Sequence, residues 1–314
     1  VIKLHPVAYC FVIGLAFCLA APSSPLLPAA AAAGWQIQHA AADDSDAESS
    51  VSESDVLRQA KTWAARLSTQ KPFDSWKHAS PDIQTLGPGT HGWLATLKAA
   101  DGRIVGYMVM HAVADGTLQL SEYGVGPHPL YDPAMLDQTL RENGLIDSAQ
   151  APPYRAVKYY AHPFAAVWQV AIGNEVYWVD AKTSEILPLH AESWEQLQQQ
   201  FSLAAAKTAS EPALFEGSIA SCRIGESFDA YDRLPWLTGE SPISVQDEEK
   251  VQHRLNSSLH LRYVVEPYGD AVLYAVPVIG YLSIGDDRLD LAVDMAGARF
   301  IPIETLSQYG RFYA

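Results

Sequence analysis

The residues best suited to chemistry in this sequence are few and scattered. Cys222 precedes His253 and His260, and a thiol with an imidazole could supply a nucleophile and its base. Nothing around Cys222 marks an activated thiolate, so a small buried hydrophobe is the expectation for it. The run GPGTHG, Gly87 to Gly92, has the glycine spacing of a dinucleotide fingerprint. Its context is wrong, because Pro88 interrupts it and a strand-like run from Trp93, rather than a helix, follows. Asp286, Asp287 and Asp290 have something of a calcium loop, but the glycine and distal glutamate of that loop are missing, and a solvated hairpin turn is expected. None of the ten histidines is followed by the glutamate of a zinc-protease helix, and there is neither a nucleophile elbow nor a P-loop. No catalytic, cofactor-binding or metal-ligating residue is therefore assigned.

Two segments are more specific than packing alone requires. In LSEYGVGPHPLYDP, Leu120 to Pro133, glycines and prolines fix the backbone around Glu122, Tyr123 and His128. In FDAYDRLPWLTGESP, Phe228 to Pro242, aromatic residues including Tyr231 and Trp236 alternate with Asp229 and Asp232. Both could simply cover sheet edges. As functional surfaces they offer Glu122, Tyr123, His128, Tyr231 and Trp236 as partner contacts.

These segments must be positioned by elements whose signals are local. Lys3 and His5 stand before an apolar run from Val7 to Ala21, with an Ala-rich stretch before Gly34. This reads as a signal peptide over 1–33 and an extracytoplasmic, secreted or envelope-associated protein, with an uncleaved anchor as the alternative. Cleavage would remove Cys10 and Cys18, leaving Cys222 without a partner for a disulfide. The formal net charge is −15. Such a balance disfavours nucleic acid and anionic membrane, since phosphate contacts draw on Lys and Arg. Residues 34–55 form an acidic linker, DDSDAESSVSESD at its end, whose like charges keep it solvated.

A first helix-plus-sheet module is expected over 56–131. Ser50 and Glu53 suggest a capping box, and Val56, Leu57, Ala60, Trp63, Ala64 and Leu67 recur on one helical face. The stretch from Lys71 to Gly92 is too rich in Pro and Gly for a regular element, and a meander with Asp101-Gly102 and Asp115-Gly116 turns follows it. A second module spans 132–190. Asp132 caps a helix with Pro133 at its first position, and strands then surround a hairpin in which Trp168 and Trp178 alternate with polar residues. A connector over 191–243 opens with a helix capped by Ser193 and Gln196, then an irregular part that should pack across a sheet. The C-terminal module, 244–314, begins with a helix near Ser244 carrying Asp247, Glu248 and Glu249 in its first turn. Trp93 laid on Trp168 keeps apolar positions in phase, which reads as an internal repeat.

Within the second module, AVWQV, a turn, and EVYWVDAKTSEIL resemble the PepSY domain and related propeptide-like domains of exported bacterial proteins. The match is best over 132–188 and weaker over 54–124. The resemblance implies an α+β fold of tandem modules, each one helix plus an antiparallel β-sheet, and a protein that binds or restrains a protein partner, such as a protease or envelope component, without catalysis or cofactor. One departure is Ser184, where the family has glycine, so the turn after Lys182 is expected to be of another type. The alternative is an extracellular hydrolase whose site the sequence does not reveal, a thiol-dependent one being one form of it.

Overall fold

The computed structural model describes residues 51–314 except 88–90, 114, 148–153, 208–214, 246 and 286, and except the side chains of 201–207. The expected signal peptide, most of the acidic linker, Ser50 and Asp286 lie outside the described residues. Helix α1, Glu53–Leu67, starts one residue after Ser52, whose Oγ accepts the Asp55 amide at 3.2 Å. Ser52 is thus the cap, and Glu53 is the first helical residue rather than the closing member of a box. Of the predicted stripe, Val56, Ala60, Trp63, Ala64 and Leu67 form the buried face and Leu57 is half-buried.

The stretch expected to be irregular contains two elements, a 3-10 helix at Lys71–Trp76 and strand β1, Ser80–Thr85. Pro72 fits the first turn of the helix, where its missing amide costs nothing, and Pro81 is tolerated because β1 is an edge strand. The meander follows as β2, Gly92–Lys98, β3, Ile104–Ala112, and β4, Leu118–Val125. Helix α2, Pro133–Glu142, has the Asp132 carboxylate accepting from the Ala134 amide at 2.9 Å. Strands β5, Arg155–His162, β6, Ala165–Ile172, β7, Glu175–Asp180, and β8, Ile186–Leu187, then form a four-stranded antiparallel sheet in chain order. Ser184 corrects the expectation about its turn: it holds a φ of +60°, the left-handed conformation glycine would take, with its amide bonded to the Asp180 carbonyl.

Helix α3, Ala191–Lys207, starts two residues before Ser193, which therefore lies in the first turn instead of capping it. Strand β9, Ile219–Ile224, and the one-turn helix α4, Pro235–Thr238, complete the connector. Helix α5, Glu248–Asn256, starts four residues beyond Ser244 and is capped by Asp247, which accepts from the Lys250 amide. The chain ends in β10, Arg262–Val265, β11, Pro267–Asp270, β12, Tyr274–Ile284, β13, Arg288–Asp294, β14, Ala298–Pro302, α6, Ile303–Tyr309, and β15, Gly310–Tyr313.

The fold is α+β with antiparallel sheets. The strands of 56–131 and those of 244–314 do not form separate sheets, however; they join in one ten-stranded sheet ordered β1-β2-β3-β4-β14-β13-β12-β10-β15, with β9 also paired to β12. The join is the β4–β14 seam, where Phe300 faces Tyr123 and Arg299 faces Gly124. One sheet face is covered by α1 and the 3-10 helix, which bury Trp63, Phe73 and Trp76 against Met108, Tyr123, Leu282 and Phe300. On the opposite face, α2 and the small sheet cover Leu94, Tyr107 and Val109, while α5 and α6 cover Val278, Leu291 and Ile301. Trp168 is a core residue there, 6% exposed and edge-on to the Tyr131 ring at 5.2 Å. Trp178 is also buried but packs separately, stacked on Trp194.

Candidate functional site

Glu122 and Tyr123 do not lie on a loop. They belong to β4, next to the seam, and both are completely buried, which corrects their reading as surface contacts. Glu122 accepts a 2.7 Å hydrogen bond from Arg299 Nη2, with both side chains fully enclosed. Arg299 also donates to the Pro163 carbonyl and, through Nε, to the Tyr107 hydroxyl at 3.2 Å, with its guanidinium 5.1 Å from the Phe164 ring. Burial opposes the charge on Arg299, but Glu122 and Tyr107 outweigh it and hold the guanidinium above its ordinary range. Gly124 makes room for this: a Cβ there would lie 2.3 Å from the Tyr107 ring. Glu122 Oε1 and the buried Tyr160 hydroxyl have no hydrogen-bond partner among the described residues.

Through the other face of the seam runs a second ion pair. Tyr123 donates to Asp290 Oδ2 at 2.9 Å, and Arg288 Nε donates to Asp290 Oδ1 at 2.9 Å and Nη2 to the Leu120 carbonyl at 2.8 Å. Asp290 is therefore an interior ion-pair member instead of part of a solvated turn; Asp287 alone of the described pair is exposed. Nearby, Asp180 accepts from Tyr274 at 3.0 Å and from the Lys182 and Thr183 amides at 2.7 Å. Lys182 donates to the His128 carbonyl, and burial, then Arg299, pulls its ammonium down to about 8. The side chain of His128 is exposed. Glu122 and Asp290 are ion-paired in place and Asp180 is held by hydrogen bonds, an arrangement that clamps strands together and keeps these acids out of solvent.

Cys222 lies on β9 opposite Leu282, packed toward the α1 face, and burial pushes its thiol up to about 11. His253 belongs to α5, whose Val251 and Leu255 pack on the other face, and His260 stacks on Phe228 at 3.9 Å. The thiol and imidazoles are not brought together. The register of β3 and β4 instead joins His111 to Ser121, Nδ1 to Oγ at 2.7 Å, beside an irregularity in the ladder. Burial holds the His111 imidazole down at about 4, so it is neutral and a weak base at neutral pH. Two residues ten positions apart on adjacent strands carry no sequence signal of that contact. The Leu86 amide donates to the Gly92 carbonyl at 2.9 Å, and the strands on either side, β1 and β2, pair antiparallel, whereas a dinucleotide site needs a strand followed by a helix. Among the described residues, no group of three or more His, Cys, Asp or Glu could hold a metal ion.

Tyr231 and Trp236 come together on a different structure, a flap made by the connector. It covers the side of the β10–β12–β15 region that bears Val264, Ala275 and Tyr313, against which Ala230, Trp236 and Leu273 pack. Buried Arg262 fastens it, donating to the Ala230 carbonyl at 3.1 Å, pairing with Asp232 and lying 5.1 Å from the Phe228 ring. The Tyr231 hydroxyl accepts from the Ala275 amide at 3.1 Å, and the half-buried Trp236 meets the Tyr231 ring edge-on. The chain has no match among protein-family models, curated proteins or solved structures.

The outer surface of the flap carries three exposed apolar side chains among charged ones. Tyr231 is 51% exposed and Leu237 72%, with Leu234 exposed one helical turn before it. No helix among the described residues is long and apolar enough to cross a membrane. The irregular part of the connector thus packs across a sheet as expected, and its exposed leucines, which composition alone does not distinguish from core residues, form the outward face.

Proposed function

We infer that the protein is an exported, PepSY-like, non-catalytic module that binds or restrains a protein partner, a protease or a cell-envelope component. The observation that carries this reading is the flap, a segment tied down through Arg262 and the Ala275 amide that leaves Tyr231, Leu234 and Leu237 exposed. A surface fixed in advance loses little entropy when it is covered. The tandem-module part of the reading is supported by recurrence, since α1 precedes the β1–β4 meander, α2 precedes β5–β8, and α5 precedes β10 and β12–β14. A thiol-dependent hydrolase would need Cys222 as a thiolate beside a histidine, and a buried thiol near 11 opposes that.

Affinity capture from envelope fractions tests this, with the parent chain and a Leu237→Gln variant as baits. The expected result is a protein retained by the parent and reduced about five-fold or more by the substitution, the loss a central interface leucine gives. Identical recovery by both baits refutes the assignment of the flap as the binding surface.

A further inference from the structure

The flap also constrains the chemistry of what covers it, an inference that rests on the interaction reading above. From Glu226 to Glu240 the chain carries Glu226, Asp229, Asp232 and Glu240 against Arg233 alone. Arg233 is consumed by Glu240 at 2.9 Å, and Asp232 by the buried Arg262. Asp229 accepts the Tyr231 amide through one oxygen and, like Glu226, is exposed without an ion-pair partner among the described residues. Tyr231, Leu234 and Leu237 thus stand exposed on a segment whose two acids without an ion-pair partner among the described residues, Glu226 and Asp229, are both negative. We propose that the flap is a docking surface for a cationic amphipathic segment of another protein, whose apolar side chains cover Leu234 and Leu237 while its Lys or Arg residues meet Glu226 and Asp229.

Charge decides among the occupants. A second copy of the flap would bring the same acids face to face, an anionic bilayer would be repelled, and the chain's own DDSDAESSVSESD segment has the wrong sign. A basic segment gains from Glu226 and Asp229, which steer encounter, and from the exposed apolar side chains, which set residence.

Three synthetic peptides titrated against the full chain test the proposal: an amphipathic Leu/Lys helix, a Leu/Glu helix of reversed charge, and a Ser/Lys peptide without the apolar face. Only the Leu/Lys peptide should bind, and Leu237→Gln should weaken it about five-fold or more. Val176→Gln, the same kind of change at an exposed residue of β7, should leave binding as in the parent. Binding of the Ser/Lys or Leu/Glu peptide as tight as that of the Leu/Lys peptide overturns the proposal, as does Leu/Lys binding indifferent to Leu237→Gln. Self-association in sedimentation, abolished by Leu237→Gln, would make a second copy the occupant and also overturn it. If no peptide binds while Leu237→Gln still releases a captured envelope protein, the cationic chemistry falls and the interaction reading stands; if neither responds, both fall.

Discussion

Residues 120–133 and 228–242 have similar compositions, with acids and aromatic residues set among glycines and prolines, and they end in opposite environments. Glu122 of the first is sealed against Arg299, both fully buried; Asp232 of the second pairs with buried Arg262 while its own side chain is 47% exposed. Tyr123 stacks on Phe300 inside the sheet at 5.1 Å, whereas Tyr231 is tethered by its hydroxyl and leaves half its surface in solvent. The difference lies in what the fold places opposite each segment. The first enters β4, paired on one side with β3 and on the other with β14, and the second lies over a sheet with Tyr231, Leu234 and Leu237 left exposed. The same residue types therefore clamp in one place and display in the other.

The comparison breaks most sharply at Arg299. Arg299→Met strands Glu122 as a buried, unpaired carboxylate, and should cost about 3–5 kcal/mol in denaturant unfolding. Adding Glu122→Gln should recover much of that loss by removing the stranded charge; a single variant that costs less than about 1 kcal/mol would show the seam to be as wet as the flap.

A smaller effect should appear with pH. Burial, then the neighbouring Arg299, holds the His162 imidazole down at about 3, while its ring stacks on Tyr309 and accepts from the Phe164 amide. The unfolded chain takes up this proton near pH 6.5 and the folded chain does not. Its contribution is fully present above pH 6.5 and is lost as pH falls toward 3, at about 1.4 kcal/mol per pH unit. His162→Phe keeps an aromatic ring and removes the titration, so its stability should fall less steeply than that of the parent between pH 6 and 4. Equal slopes would mean that His162 is protonated in the fold.

The flap should respond least. Asp232→Asn keeps an acceptor for buried Arg262, which also holds the Ala230 carbonyl, and removes a charge that water already reaches, so it should cost about 1 kcal/mol or less in the same unfolding experiment. A loss as large as that of Arg299→Met would place the flap among the elements that hold the sheet together.

How much of this was legible in the sequence follows from the range of the interactions. Period-two alternation around Asp101-Gly102, Asp115-Gly116 and Gly173-Asn174, the Asp132-Pro133 helix start and the apolar stripe of α1 act over a few residues, and the structure has a strand or helix at each. Trp168 is buried because the alternation of β6 puts it on the face where Leu136 and Leu140 of α2 also pack. β1 was missed because its Pro81 is acceptable only on an edge, and edge position is a property of the whole sheet. Ser184 takes a glycine-like φ because bonds between Asp180 and Ser184–Glu185 close the turn around it, not because its own type prefers that conformation.

The candidate site divides along the same line. Composition singled out Tyr231 and Trp236 as part of a segment too apolar for a free linker, and hydrophobicity alone brought that segment down onto a sheet. Which of its side chains face outward was settled by Arg262, Ala275 and Tyr313, thirty or more residues away in sequence. Glu122 and Asp290 could not be told from surface acids by their neighbours in the chain. Arg299, 177 positions from Glu122, and Tyr123, 167 positions from Asp290, reach them only once β4 pairs with β14. Short-range geometry thus fixed the elements, and the charges, whose cost depends on everything around them, were placed by the tertiary structure.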